Sequence, residues 1–74
     1  MSSVHSTRYR ELLKRLREAR LKAGLTQEEV AELLGKPQSY VSKCESGERR
    51  VDVVELEDFA KLYGKRLSYF VGGR

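Results

Sequence analysis

The sequence predicts an all-helical domain, and three observations predict it. Apolar residues recur at helical spacing through most of the chain. The stripes close on glycines, at Gly24, Gly35, Gly47 and Gly64. Two of them open on Thr or Asp followed three residues later by Glu, the signature of a capping box. The 74 residues leave room for one small domain. A core of that size gains from economical helix packing or self-association.

Residues 1–6 carry no periodic pattern and read as a disordered N-terminal tail ahead of a domain over 7–74. From Tyr9, apolar residues fall at 9, 12, 13, 16, 19 and 23 and define a first helix. Its Glu11–Arg15 and Glu18–Lys22 pairs stand one turn apart, with Glu in the favoured N-terminal place, and Gly24 ends it. The second helix opens on a Thr26/Glu29 capping box with a Leu25–Val30 staple, continues its apolar face through Ala31, Leu33 and Leu34, and stops at Gly35. Pro37 suits the first turn of a third helix, which places Lys36 at its N-cap. That helix runs to about Ser46 and Gly47, so the unit of two helices and a turn covers about 26–46. The fourth helix repeats the entry device with Asp52 and Glu55 and a Val51–Leu56 staple. Val54, Leu56, Phe59, Ala60 and Tyr63 form its apolar side before Gly64. A last piece, Leu67-Ser68-Tyr69-Phe70-Val71, makes one or two helical turns before Gly72-Gly73.

Composition narrows the function classes. A net charge of +4 and a pI near 9.5 suit an anionic partner. The charge is uneven: residues 8–22 hold seven cations against Glu11 and Glu18, while residues 51–60 hold four acids and no cation. A single cysteine excludes an intramolecular disulfide framework and a Cys-based zinc cluster, and fits a reducing cytoplasm. Cys44 falls on an apolar helix side, where a thiol behaves as a small hydrophobe rather than a redox switch. His5 in the tail has no set of metal-ligating partners. No apolar run reaches the roughly 20 residues of a membrane span, and MSSVHSTRYR lacks the apolar core of a secretory signal. The expectation is a cytoplasmic protein. No Ser/His/acid set or phosphate-cradling glycine loop is present, so neither an enzyme nor a cofactor is expected.

On a helical wheel, Val41 and Cys44 of the third helix share one side, with Tyr40 and Glu45 flanking it. Ser39, Ser42, Lys43 and Ser46 share the other, and Gln38 sits at the border near the N-terminal end. This row has two readings. It is an ordinary solvated face, or it reads base edges: Gln bonds adenine bidentately, Lys reaches guanine O6 and N7, and Ser donates or accepts. A short capped helix, a glycine turn and a second helix with a polar N-terminus favour the second reading, because they form the layout of a helix-turn-helix.

The residues Leu25-Thr26-Gln27, Val30-Ala31, Leu34-Gly35, Gln38-Ser39, Val41-Ser42-Lys43, Glu45 and Gly47 closely resemble the Cro/CI-type (lambda repressor-like, XRE-type) helix-turn-helix proteins. The similarity continues through LEDFAKLYG and the terminal LSYFVGG. The resemblance implies a compact bundle of five short helices with the third in the major groove of double-stranded DNA. It further implies that Gln38, Ser39, Ser42 and Lys43 face bases, and that Gln27, Tyr40, Ser46 and Arg49 approach the phosphate backbone. Gln27 also braces Gln38, and Arg20 and Glu45 match a buried ion pair joining the first and third helices. Lys36-Pro37 departs from the family pattern, which often places a capping Ser or Thr there, so a phosphate contact through that hydroxyl is not carried over.

Arg20 alone also reads as a solvated cation, Tyr40 divides between core and phosphate contact, and Arg49 and Arg50 form a basic loop suited to phosphates. Leu67, Tyr69, Phe70 and Val71 either complete the monomer core or form a two-fold interface, and the two roles are compatible. The leading expectation is a transcriptional regulator, a repressor or controller, that binds a pseudo-palindromic operator as a homodimer. With no room for a ligand-sensing domain, the chain suits the minimal repressors of phages, restriction–modification controllers and antitoxins. The competing expectation is a protein-interaction module, an antitoxin or adaptor, that takes its partner through the terminal apolar patch.

Overall fold

The computed structural model describes residues 6–72 and contains helices α1 (Thr7–Lys22), α2 (Gln27–Leu34), α3 (Gln38–Ser46), α4 (Val53–Tyr63) and α5 (Leu67–Val71). Residues 1–5 of the expected tail, His5 among them, and residues 73–74 lie outside the described residues. Ser6, expected within the tail, is the N-cap of α1, its hydroxyl accepting from the Tyr9 N–H at 3.1 Å.

The local rules act where the residues call for them. Thr26 and Glu29 exchange both capping-box bonds at the start of α2, at 3.1 and 2.9 Å, and Asp52 and Glu55 do the same for α4 at 2.8 and 3.0 Å. Gly35 ends α2 with φ +69°, a left-handed conformation that favours glycine. The Lys36 N–H then turns back to the Ala31 carbonyl at 2.9 Å. This bond corrects the expected start of α3. Lys36 closes α2, and Pro37, with φ −67° and ψ 155°, is the N-cap of α3, without a side-chain cap bond. A ring that fixes φ near −65° suits either position, and the closure of α2 decides between them.

The core gathers Leu16 from α1, Val30 from α2, Val41 and Cys44 from α3, Phe59 from α4 and Phe70 from α5, all fully buried. Helix α2 packs chiefly on α3, while α1 crosses α3, α4 and α5. Three residues of the expected apolar stripes are instead exposed, Ala23, Leu33 and Val54, the first because α1 ends at Lys22 and Ala23 is only its C-cap. At about 100° per residue, Leu33 stands off the stripe that Val30, Ala31 and Leu34 turn inward. Val54 lies roughly opposite Leu56, Phe59, Ala60 and Tyr63 on the α4 wheel. In such short helices one inward stripe exhausts the available contact, and the remaining apolar residues face water.

The α5 segment completes the core rather than standing apart from it. Phe70 is 1% exposed, Leu67 and Tyr69 pack against the core, and Val71 remains 45% exposed. Arg15 and Arg8 hold the end of this helix from α1 by donating to the Tyr69 and Val71 carbonyls at 3.0 and 3.5 Å. Cations at these positions suit the negative end of a helix.

Candidate nucleic-acid interface

The short turn between α2 and α3 leaves the outer row of α3 open. Gln38, Ser39, Lys43 and Ser46 are exposed and Ser42 is half-buried, while Val41 and Cys44 face inward. All four expected base-facing residues therefore share one accessible face. The basic bias of α1 is distributed differently from its sequence impression. Of its seven cations, Arg8, Arg15 and Arg20 bind groups inside the domain. Arg10, Lys14, Arg17 and Lys22 remain exposed.

Beneath the row lies a buried ion pair. Arg20 Nε and Nη2 donate to the two Glu45 carboxylate oxygens at 2.6 and 3.0 Å, and Arg20 Nη1 donates to the Leu25 carbonyl at 3.0 Å. The two side chains are only 8% and 4% exposed. The bond to Glu45 holds the guanidinium above its usual basicity, against the opposing effect of burial. The pair ties α1 to α3 across the turn, as the resemblance implies.

From Glu45 the hydrogen bonds continue outward. Gln27 Nε2 donates to Glu45 Oε1 at 3.0 Å, and Gln38 Nε2 donates to Gln27 Oε1 at 2.9 Å. The half-buried Gln27 thus braces Gln38 and is itself braced from the core. The connected chain Arg20–Glu45–Gln27–Gln38 links a buried charge to the surface of α3.

The other expected backbone residues have partners of their own. Arg49 makes a bidentate pair with Glu55 at 2.9 and 2.7 Å and lies 4.8 Å from the centroid of the Tyr40 ring. Tyr40 stacks on Phe59 at 6.2 Å, with Lys36 Nζ 5.2 Å from its centroid, so its ring belongs to the core edge and its outer side to cations. Burial pushes the Tyr40 hydroxyl up to about 12. The Arg49 guanidinium, followed by the Asp52 N–H, pulls Glu55 down to about 2. Ser46 Oγ donates to the Lys43 carbonyl at 3.2 Å and accepts from the Glu48 N–H at 3.3 Å, closing the end of α3.

Sequence reasoning missed the Arg49–Glu55 pair and the contact of Arg50 with Tyr9, whose ring centroid lies 4.2 Å from the guanidinium carbon. Tyr9 also accepts the Val51 N–H at 2.9 Å, so α1 supports the loop before α4. The one available signal was the aromatic at the head of the α1 stripe, and it carries no direction toward a loop 42 residues away. Burial pushes the Cys44 thiol above its ordinary range, in keeping with an inert packing role.

A profile of the helix-turn-helix family matches residues 16–70, from the middle of α1 to α5. The fold is also similar to a solved XRE-family like protein from Pseudomonas syringae pv. tomato str. DC3000, at 48% identity and a TM-score of 0.84. That match covers 93% of this chain and 84% of the other. No curated protein matches. The chain belongs to the XRE-type helix-turn-helix family. As a member it carries a DNA-binding regulator fold, with α2 and α3 as the helix-turn-helix. No described helix is long and apolar enough to cross a membrane.

Proposed function

We propose that this XRE-type domain is a sequence-specific transcriptional regulator, a repressor or controller, that binds double-stranded DNA as a homodimer. Helix α3 enters the major groove, and Gln38, Ser39, Ser42 and Lys43 read base edges. Gln27 retains a second N–H for a phosphate, and Tyr40, Ser46 and Arg49 border the backbone path, Arg49 by exchanging Glu55 for phosphate oxygens. The observation that carries this reading is the bracing of the exposed Gln38 from a buried ion pair. A merely solvated glutamine has no use for such support.

The two-fold contact is assigned to the end of α5, where Val71 is exposed beside the half-buried Leu67 and Tyr69, with Phe70 supporting them from the core. Burial of Phe70 takes its ring out of the accessible patch, so any partner there, a second copy or a different protein, meets chiefly Val71, Leu67 and Tyr69. The test is selection of bound duplexes from a random DNA pool. The reading predicts an enriched palindrome with half-sites about 34 Å apart. Salt-sensitive binding without any enriched sequence would count against it.

A further inference from the structure

We propose that the outward faces of α1 and α4 are the two halves of one contact, through which a copy of this chain docks head to tail on the next when neighbouring sites on DNA are filled. This inference rests on the DNA-reading role proposed above and adds to it a route to cooperative binding.

Arg10, Lys14, Arg17 and Leu21 stand at i, i+4, i+7 and i+11 of α1, and all four are exposed. At 100° per residue they fall within about 60° of one another. Arg8 and Arg15 leave the helix on another side, toward the end of α5. The stripe holds three cations in a row, and none of them is in an ion pair among the described residues. Like charges one turn apart destabilise a helix, so an anionic partner relieves a repulsion that the free domain bears. Leu21, 53% exposed, gives the stripe an apolar end.

The face of α4 is its complement. Leu56, Phe59, Ala60 and Tyr63 turn to the core. Val54, Glu57 and Asp58 lie on the opposite side, exposed, with Val53 at the edge. Neither Glu57 nor Asp58 is in an ion pair among the described residues. Lys61, one turn further along, is the cation of this face. An antiparallel approach sets Leu21 beside Val54 and Arg17 between Glu57 and Asp58, with Lys14 in reach of the same acids.

Both helices turn their buried sides to one core, so within a single copy the two faces point outward and do not meet. A second copy supplies the match, because the chain itself carries the charge complement of its stripe. Unlike faces make the contact heterologous, which forms a row rather than a closed pair and suits molecules lined up along a duplex. It leaves Val71 and its neighbours to the two-fold contact. Exposed ion pairs each contribute little and are screened by salt, so the contact is weak in the free chain. On DNA, neighbours meet at an effective concentration of about 1 mM, and a dissociation constant of about 0.1 mM then yields about tenfold cooperativity.

Charge exchange tests the pairing. Lys14→Glu with Arg17→Glu makes the α1 stripe acidic, and Glu57→Lys with Asp58→Lys makes the α4 face basic. The fourfold variant carries both exchanges and keeps the wild-type net charge of +4, which removes general charge effects on DNA affinity. Circular dichroism confirms that each variant is folded. Binding is compared at low salt on duplexes that carry one copy, or two adjacent copies, of the sequence enriched from the random pool. The spacing of the two copies is varied over one helical turn.

The wild-type chain is expected to fill the second copy about tenfold more tightly than a single one. Each two-residue exchange should reduce that factor to about twofold or less, and the fourfold variant should restore it. Independent filling of the two copies by the wild-type chain at every spacing would overturn the inference while base reading stands. So would a fourfold variant that stays non-cooperative, and a single-copy affinity lowered with it would make the stripe a phosphate contact. If no sequence is enriched, the reading on which the inference rests falls. Sedimentation equilibrium of the free chain, at about 0.3 mM, then decides the contact by itself. Salt-sensitive association beyond a dimer, lost in either exchange and regained in the fourfold variant, would support it, and its absence would overturn it.

Discussion

Two arginine–glutamate pairs of this domain have the same bidentate chemistry and opposite roles. Arg20–Glu45 is 8% and 4% exposed and lies between α1 and α3, whereas Arg49–Glu55 is 41% and 20% exposed and lies on the loop before α4. The inner pair is away from solvent, makes a further bond to the Leu25 carbonyl and serves as the fixed end of the chain to Gln38. The outer pair is open to water and salt, which screen it, and phosphate oxygens can compete for Arg49. Burial converts an ion pair from an exchangeable surface contact into a positioning device.

Breaking the inner pair should produce the largest effect. Glu45→Ala leaves Arg20 buried without its carboxylate and is expected to destabilise the domain by about 3–5 kcal/mol in urea unfolding. The double replacement Arg20→Met, Glu45→Leu should recover much of that stability, because apolar side chains of similar volume leave no buried charge without a partner. Equal stability of Glu45→Ala and the wild-type chain would show that the pair does not bear on folding.

The next effect lies on the reading face. Lys43→Ala should cost about 1–3 kcal/mol on the preferred duplex and relax choice at one base pair. A uniform loss over all sequences would identify Lys43 as a phosphate contact instead, and would separate the outer face of α3 from its braced N-terminal end.

The outer pair yields a smaller and pH-dependent effect. Glu55 is held at about 2 in the fold, below its unfolded value of about 4.5. A depressed carboxyl contributes stability that is fully present above the unfolded value and disappears as pH falls through the folded one. The stability difference between the wild-type chain and Glu55→Gln should therefore be constant above about pH 5 and shrink toward pH 2. Thermal melts across that range measure it, and added salt should diminish it. A difference that grows on acidification would contradict the assigned pairing. Smallest of all, Val54→Ser on the exposed side of α4 should alter stability by no more than about 0.5 kcal/mol.

The contrast also explains what was legible in the sequence. Thr26/Glu29 and Asp52/Glu55 act over three residues, and Gly35 and Gly64 act over one, so their effects follow from the letters alone. Arg20 and Glu45 are 25 residues apart, and their pairing was visible through family resemblance rather than through spacing. The Arg49–Glu55 pair and the Arg50–Tyr9 contact depend on the path of an aperiodic loop, for which no periodicity exists to be read. Leu33 and Val54 were misplaced because a helix of 8 or 11 residues has too few apolar positions to define its inward stripe sharply. The side of Pro37 on which α3 begins was decided by a bond from Lys36 back into α2, a three-dimensional event.

The most direct measurement is the ratio of affinities for the selected duplex and for a scrambled duplex of equal length. It is taken over a series of salt concentrations for the wild-type chain and for the Gln38→Ala, Lys43→Ala double variant. The account predicts that the wild-type ratio is large, on the order of a thousandfold or more. In the double variant that ratio should collapse, while the slope of log affinity against log salt changes little, because phosphate contacts made elsewhere remain. An unchanged ratio accompanied by a flattened salt slope would contradict it, and would make α3 a backbone-binding helix that does not read sequence.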